Sequence, residues 1–335
     1  MKIFVTGCSG YIGGTFTYEA LKKGYSVYGL DNFINSKKDV VDKISSNFPE
    51  NFFFEQIDIA TDTKELNKYL TKSNSDVVVH FAGLKAVGES EQKPLEYWEN
   101  NLLGSLNLIK SMQMNNIKNI VFSSSATVYG SSKIQPINED CYLSTTSTYG
   151  STKLSTEYLL NDVARKGSIN VISLRYFNPV GSHQDKEIFE DPFNKPNNLM
   201  PRIVRVALGI DKEIEIFGSD YSTKDGTGER DYIHIEDLVH GHFDAVKYLK
   251  DFNGFSSFNL GTGNKVSVLN LIKTFEESNK IVIPYKFEKR RKGDVEICYA
   301  DPSKSNQILN WKAKRSTTEM CIDTWEAIKK NVNDL

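Results

Sequence analysis

Tyr149 and Lys153 lie four residues apart in the run TYGSTK, a spacing that puts a phenol and an ammonium on one face of a helix. A positive charge beside a phenol favours its phenolate and lowers a pKa that otherwise lies near ~10. An oxidised nicotinamide nearby would add a second positive charge, and the phenol would then accept the proton of a secondary alcohol near neutral pH. The serine cluster in FSSSATVYG offers a third member. The Ser125 hydroxyl is placed to bridge substrate oxygen and phenolate, with Ser123 and Ser124 as neighbouring alternatives. Gly7, Gly10 and Gly13 form GxxGxxG near the N-terminus. Glycine permits a tight turn there, and its missing Cβ lets a pyrophosphate approach the backbone at the start of a helix. Asp31 follows at about the ~20-residue distance of a ribose-binding carboxylate, which repels the 2′-phosphate of NADP and so favours NAD. Lys37 and Lys38 come soon after, so the carboxylate does not settle that choice alone. Asp58 fits either an adenine contact or an ordinary turn.

These groups need strands that end beside helix starts. Apolar runs without polar alternation read as strands buried on both faces at Lys2–Thr6, Ser26–Leu30, Asn51–Ile59, Asp76–Phe81, Asn119–Ser123 and Val171–Arg175. Helical patterns interleave with them, notably over Gly13–Gly24, Pro94–Asn115 and Tyr149–Lys166. That alternation implies βαβ units with right-handed crossovers. The expected fold is α/β, a Rossmann-type doubly wound parallel sheet with a smaller, partly interleaved C-terminal substrate domain. After Arg175 the chain turns rich in Asn, Pro, Gly and Asp, with long loops of the kind that serve binding. A boundary near residue 177 gives an NAD-binding domain over 1–177 and a substrate domain over 178–335, parts of it around 231–250 returning to the main sheet.

Composition excludes several classes. Across 335 residues the net charge is −2, which argues against a nucleic-acid binder. No apolar run approaches the ~18–20 residues that span a bilayer. The four cysteines are scattered without CxxC pairing, so no disulfide framework, zinc site or other metal is expected. The chain runs straight from MKIFVTG into the glycine loop without a signal-peptide core, and a cytoplasmic location is expected.

Taken together, VTGCSGYIGG, LDNFINS, HFAGLKAVGESEQKPLEYWENN, FSSSATVYG, TYGSTK, LRYFNPVG, NNLMP, IFGSDY, DGTGERDYIH and NWKAK resemble, in order, the extended short-chain dehydrogenase/reductase family. Within it they look like the UDP-glucose (UDP-galactose) 4-epimerases. The resemblance selects Ser125 from its cluster and makes Ser125, Tyr149 and Lys153 catalytic. It implies NAD contacts at Gly7, Gly10, Tyr11, Ile12, Gly13, Asp31, Asn32, Asp58, Ile59, Phe81, Ala82, Gly83, Lys85, Asn100, Tyr149, Lys153 and Phe177. It implies UDP-sugar contacts at Lys85, Ser125, Tyr149, Asn178, Asn198, Leu199, Phe217, Arg230, Arg291, Asp294 and Cys298. Arginine suits a diphosphate because its planar fork makes paired charge-assisted bonds. Two departures sit in the first motif: Cys8 where glycine or alanine is usual, and Gly14-Thr15-Phe16 where Ser-His-Thr is usual.

The implied reaction moves a hydride from the sugar's C4 to NAD and returns it to the opposite face. A 4,6-dehydratase on the same scaffold needs an extra acid and base, and family dehydratases carry Asp-Glu after the serine. Ala126 and Thr127 stand there instead. A non-catalytic NAD sensor usually lacks the tyrosine or the lysine, and both are present. A simple sugar dehydrogenase would release NADH, whereas an epimerase keeps its cofactor. Cys298 falls where family members restricted to UDP-glucose and UDP-galactose carry tyrosine, which implies room for an N-acetyl group and a UDP-N-acetylhexosamine reaction. The resemblance also implies a homodimer pairing the two long helices with their symmetry mates. Tyr97, Leu102, Leu106, Ile109, Leu154, Tyr158 and Leu159 are the apolar residues expected on those helices.

Overall fold

The unbroken apolar runs of the first half become strands covered on both sides by helices. In the computed structural model, which describes residues 1–191, 196–291 and 294–331, seven strands form one parallel sheet. They are β1 (Lys2–Thr6), β2 (Ser26–Asp31), β3 (Phe52–Gln56), β4 (Val77–His80), β5 (Asn119–Ser125), β6 (Asn170–Tyr176) and β7 (Phe255–Leu260). Their spatial order is β7-β6-β5-β4-β1-β2-β3. The chain builds outward from β1 through β2 and β3, then crosses to β4 on the other side, which opens a crevice at the carboxyl ends of β1 and β4. Phe4, Leu30, Leu66, Val78, Leu108, Phe122, Leu160 and Val171 belong to the core beneath it.

Contacts divide the chain into two units. The first comprises Met1–Gly130, Leu143–Arg175 and Gly241–Phe258. The second comprises Ser131–Tyr142, Tyr176–His240 and the chain from Asn259 on. Membership of Ser131–Tyr142 in the second unit is a crossing that the sequence pattern gave no sign of. The second unit has its own core, including Met200, Ile203, Ile216, Leu271, Ile272, Phe275 and Met320, and its strands are short.

Three local outcomes differ from expectation. The strand expected over Asn51–Ile59 is regular only over Phe52–Gln56. The helix expected over Pro94–Asn115 is wound as α over Pro94–Tyr97, π over Trp98–Leu103 and α over Gly104–Met114. A π segment inserts a residue into the turn and often marks a functional site; here it carries Asn100 and Asn101. Of the apolar residues expected to face outward on the two long helices, Tyr97, Ile109 and Leu154 are instead buried within the chain. Leu102, Leu106 and Leu159 are half-buried. The exposed large apolar side chains of these helices are Tyr158 at 54%, Leu95 at 75%, Leu103 at 41% and Met114 at 70%.

The departures in the glycine motif pack inward. Cys8 is fully buried, and its Sγ occupies the space where a Cβ on Gly29 would come within 2.7 Å. Phe16 stacks on Phe243 at 4.7 Å and meets Phe81 at 5.5 Å.

A buried ion pair fixes the helix Thr148–Arg165 on the sheet. Glu157 accepts two bonds from Arg175 of β6, at 3.1 and 2.7 Å, and a third from Ser173 at 2.9 Å. Arg175 Nη1 also donates to the Tyr129 hydroxyl at 2.8 Å. Both charged side chains are under 5% exposed, at 4% and 3%, so neither can fall back on water. Arg175→Met should therefore destabilise the protein by roughly 3–5 kcal/mol, because it strands a buried carboxylate. The shift in urea unfolding midpoint at constant m-value measures it, and a loss below about 1 kcal/mol would refute the coupling.

Candidate active site

The first unit carries a groove at the crevice between β1 and β4. It is lined by Gly7, Gly10, Tyr11, Ile12, Gly13, Asp31, Asn32, Ile59, Phe81, Ala82, Gly83, Lys85, Asn100 and Ser123, among others. The glycines are there for contact. A Cβ on Gly7, whose φ is +72°, would stand 2.7 Å from the Ala82 nitrogen, and one on Gly13 would stand 2.1 Å from the Gly7 carbonyl oxygen. Gly10 precedes the helix Tyr11–Lys22 without any side-chain cap, an arrangement that can take an anion at the first-turn N–H groups. Asp31 closes β2 and accepts bonds from the Ser9 N–H at 3.0 Å, the Phe33 N–H at 2.9 Å and the Ser36 hydroxyl at 2.7 Å. Its carboxylate thus ties the glycine loop to the second strand as well as lining the groove. Asp58 accepts from the Asn32 amide at 3.0 Å and the Ala60 N–H at 2.8 Å, outside the groove lining.

Ser125, Tyr149 and Lys153 are brought together in the same unit. Ser125 is the last residue of β5 and caps the 3₁₀ turn Ala126–Tyr129, accepting from the Thr127 N–H at 3.2 Å and hydroxyl at 3.0 Å. Lys153 is buried, donates to the Ser123 carbonyl at 2.8 Å, and lies 5.0 Å from the Phe122 ring centre and 6.0 Å from that of Tyr149. A Cβ on Gly83 would come within 3.5 Å of its ammonium, which places Lys153 against the groove wall. Burial pushes the Tyr149 phenol up to about 12, with the Ser125 hydrogen bond pulling it down. Burial lowers Lys153 to about 8, against the pull of Glu157. Burial thus pushes each partner toward its neutral form. An added positive charge beside them would favour phenolate.

Several residues that hold this geometry escaped the sequence reading. The Asn101 amide accepts from the Leu84 N–H at 2.7 Å and donates to the Leu84 carbonyl and the Thr152 hydroxyl at 3.0 Å each. It joins the groove loop to the helix Thr148–Arg165. His80, at the end of β4, is held between the Thr6 and Ser105 hydroxyls at 2.7 and 2.9 Å, and burial lowers its pKa to about 3. Ser90 accepts the Tyr149 N–H at 3.1 Å. The NN pair at 100–101 was the available signal; only its first member was taken.

The second unit holds the remaining expected residues. Phe217 is overlain by the Arg291 guanidinium at 4.5 Å and that of Arg202 at 5.5 Å. Arg291 pairs with Asp294 at 3.0 Å. Arg230 donates to the Glu229 carbonyl at 2.9 Å and opposes Cys298 across paired strands. Arg290, missed in the sequence, stacks on Tyr221 at 4.0 Å and pairs with Asp220 at 2.7 Å. These cations on aromatic faces form a surface suited to a diphosphate and a planar base. Asn178 donates twice to the Asp231 carbonyl, at 3.0 Å through its N–H and 2.9 Å through its amide. Phe177 is buried, with its N–H on Leu260. Asn198 is exposed, binds Glu190 at 2.7 Å, and precedes the helix Leu199–Ala207. Cys298 is half-buried, and burial raises its thiol pKa to about 11.

Known proteins match this chain over nearly its whole length. A family model described as GDP-mannose 4,6 dehydratase matches residues 4–324. The UDP-glucose 4-epimerase of Pasteurella multocida is 47% identical, over 99% of this chain and 98% of its own. That of Bacillus subtilis is 44% identical over the same shares. The structure of the Bifidobacterium longum UDP-glucose 4-epimerase in complex with NAD+ and UDP superposes with a TM-score of 0.95, at 42% identity and full coverage of both chains.

Proposed function

The chain belongs to the UDP-glucose 4-epimerase family of extended short-chain dehydrogenases/reductases, and we propose that it interconverts UDP-glucose and UDP-galactose through a transient 4-keto sugar, using NAD held throughout the cycle. The observation that carries this reading is the convergence of Ser125, Tyr149 and Lys153 beside a glycine-built dinucleotide groove in one unit. The groove fits the cofactor: two positions where a Cβ would collide with backbone face an uncapped helix start. Gly7, Gly10, Gly13, Asp31, Lys85 and Asn100 would hold NAD, which when bound supplies a hydride acceptor and a positive charge beside the phenol.

The protein's own part is proton management and orientation. Tyr149 takes the proton of the 4-hydroxyl and returns it. Lys153, anchored by the Ser123 carbonyl, stabilises the phenolate. Ser125 holds the substrate oxygen against Tyr149. Arg230 and Arg291 grip the diphosphate, an anchor about which the keto sugar turns to present its other face. Thr127 occupies the Ser125 hydroxyl, and neither Ala126 nor Thr127 supplies the acid and base that a dehydratase needs, whatever the description of the family model. The purified enzyme should carry NAD through gel filtration and convert UDP-galactose. Tyr149→Phe should keep fold and cofactor but lower kcat by roughly 10²–10⁴. Near-normal turnover would remove Tyr149 from the role of base.

The same reading extends to substrate range. Cys298 stands beside the C2 side of the sugar, where a thiol leaves room for an acetamido group that a phenol ring would fill. The enzyme then also interconverts UDP-N-acetylglucosamine and UDP-N-acetylgalactosamine. Cys298→Tyr should suppress the N-acetyl reaction while sparing UDP-galactose. Wild type without N-acetyl activity, under conditions that convert UDP-galactose, would sink the extension.

The reading also makes the enzyme a cytoplasmic homodimer. Among the described residues no helix is long and apolar enough to cross a membrane, and all four cysteines are free. Leu95, Leu103, Met114 and Tyr158 are the large apolar side chains that the two long helices leave exposed, and a second copy would cover them. Light scattering at micromolar concentration should give twice the chain mass, and Tyr158→Asp should shift it toward monomer. A monomeric wild type would count against the dimer.

A further inference from the structure

The two-residue strand Ile297–Cys298 has a neighbour on each side. Glu229–Arg230 runs parallel to it with Cys298 opposite Arg230, and the Asp231 N–H donates to the Cys298 carbonyl at 3.1 Å. On the other side the segment around Ile137 forms a partial strand. The Ile137 N–H donates to the Tyr299 carbonyl at 2.9 Å, and the Asp301 N–H to the Ile137 carbonyl at 2.7 Å. Two residues upstream, the same parallel ladder would pair the Gln135 backbone with the Ile297 carbonyl and the Tyr299 N–H. The Gln135 side-chain amide makes those two bonds instead. Its Oε1 accepts the Tyr299 N–H at 3.2 Å, and its Nε2 donates to the Ile297 carbonyl at 3.1 Å. One amide therefore clamps the residues on both sides of Cys298. Nε2 also reaches the Ser132 carbonyl at 3.4 Å, which ties the amide to its own loop.

We infer that Gln135 is a positioning residue for sugar recognition: its amide replaces a missing strand neighbour and fixes the wall that Cys298 presents to the sugar. Only a primary amide of this length serves, because a carboxylate has no donor for the Ile297 carbonyl and an alkyl chain makes neither bond. The inference rests on the placement of Cys298 proposed above. It also explains how a two-residue strand, with little ladder of its own, can define a pocket edge.

The test compares wild type, Gln135→Leu, Gln135→Glu and Cys298→Tyr, each purified with NAD bound and checked for thermal midpoint. Measured are kcat and KM for UDP-galactose and the inhibition constants of UDP-N-acetylglucosamine and of UDP, which has no sugar. In Gln135→Leu the KM for UDP-galactose and the constant for UDP-N-acetylglucosamine should rise roughly tenfold, with kcat within about threefold and the constant for UDP within about twofold. Gln135→Glu, which keeps one bond, should fall between. Constants that do not move, or that rise equally for UDP and the UDP-sugars, overturn the inference, the second pattern being that of general loosening. Cys298→Tyr separates the two proposals. If it weakens UDP-N-acetylglucosamine binding while Gln135→Leu does not, only the role of Gln135 falls. If it leaves that binding unchanged, Cys298 does not face the sugar and both fall.

Discussion

An ammonium buried against a strand end is the constraint to which the first unit answers. Lys153 loses its water, and the Ser123 carbonyl and the Phe122 ring replace only part of it. The helix that carries Lys153 must therefore dock on β5 in a single register. Glu157, one turn further on, provides that register through Arg175, and Arg175 in turn holds Tyr129 at the end of the 3₁₀ turn that begins after Ser125. One ion-pair cluster thus fixes a helix, a strand and the turn behind the serine. Ser125, Tyr149 and Lys153 are thus held by groups packed behind them.

The same economy of space governs the dinucleotide groove. Backbone approaches backbone so closely at Gly7 and Gly13 that no side chain fits, and this is what leaves N–H groups open at the helix start. Where the chain departs from its family in this motif, the changes point away from the groove. Cys8 fills the space over Gly29, and Phe16 joins an aromatic cluster with Phe81 and Phe243.

The second unit solves a different problem. Its strands are too short to hold one another by ladder bonds alone, so side chains complete the pairing. Gln135 braces Ile297 and Tyr299, while the Asp231 carboxylate accepts the Thr262, Gly263 and Ala300 N–H groups. Arginines laid on Phe217 and Tyr221 keep their charge half in water and pair with Asp294 and Asp220.

How much of this was legible beforehand depends on the range of each interaction. The parallel sheet, the glycine turn and the Tyr149–Lys153 face follow from periodicity and spacing within single segments, and the sequence by itself determined them. Resemblance across ordered motifs added the family. Only tertiary structure decided the rest. Asn101, His80, Glu157 and Gln135 bind groups on other segments, up to 164 residues away for Gln135 and Tyr299, so their partners cannot be read from spacing. The protonation balance of Tyr149 and Lys153 was decided there too. Spacing predicts that the lysine lowers the phenol, whereas burial, which no spacing encodes, pushes both toward neutrality. Local pattern fixes which residues share a face; the free energy of that face is set by whatever the fold packs against it.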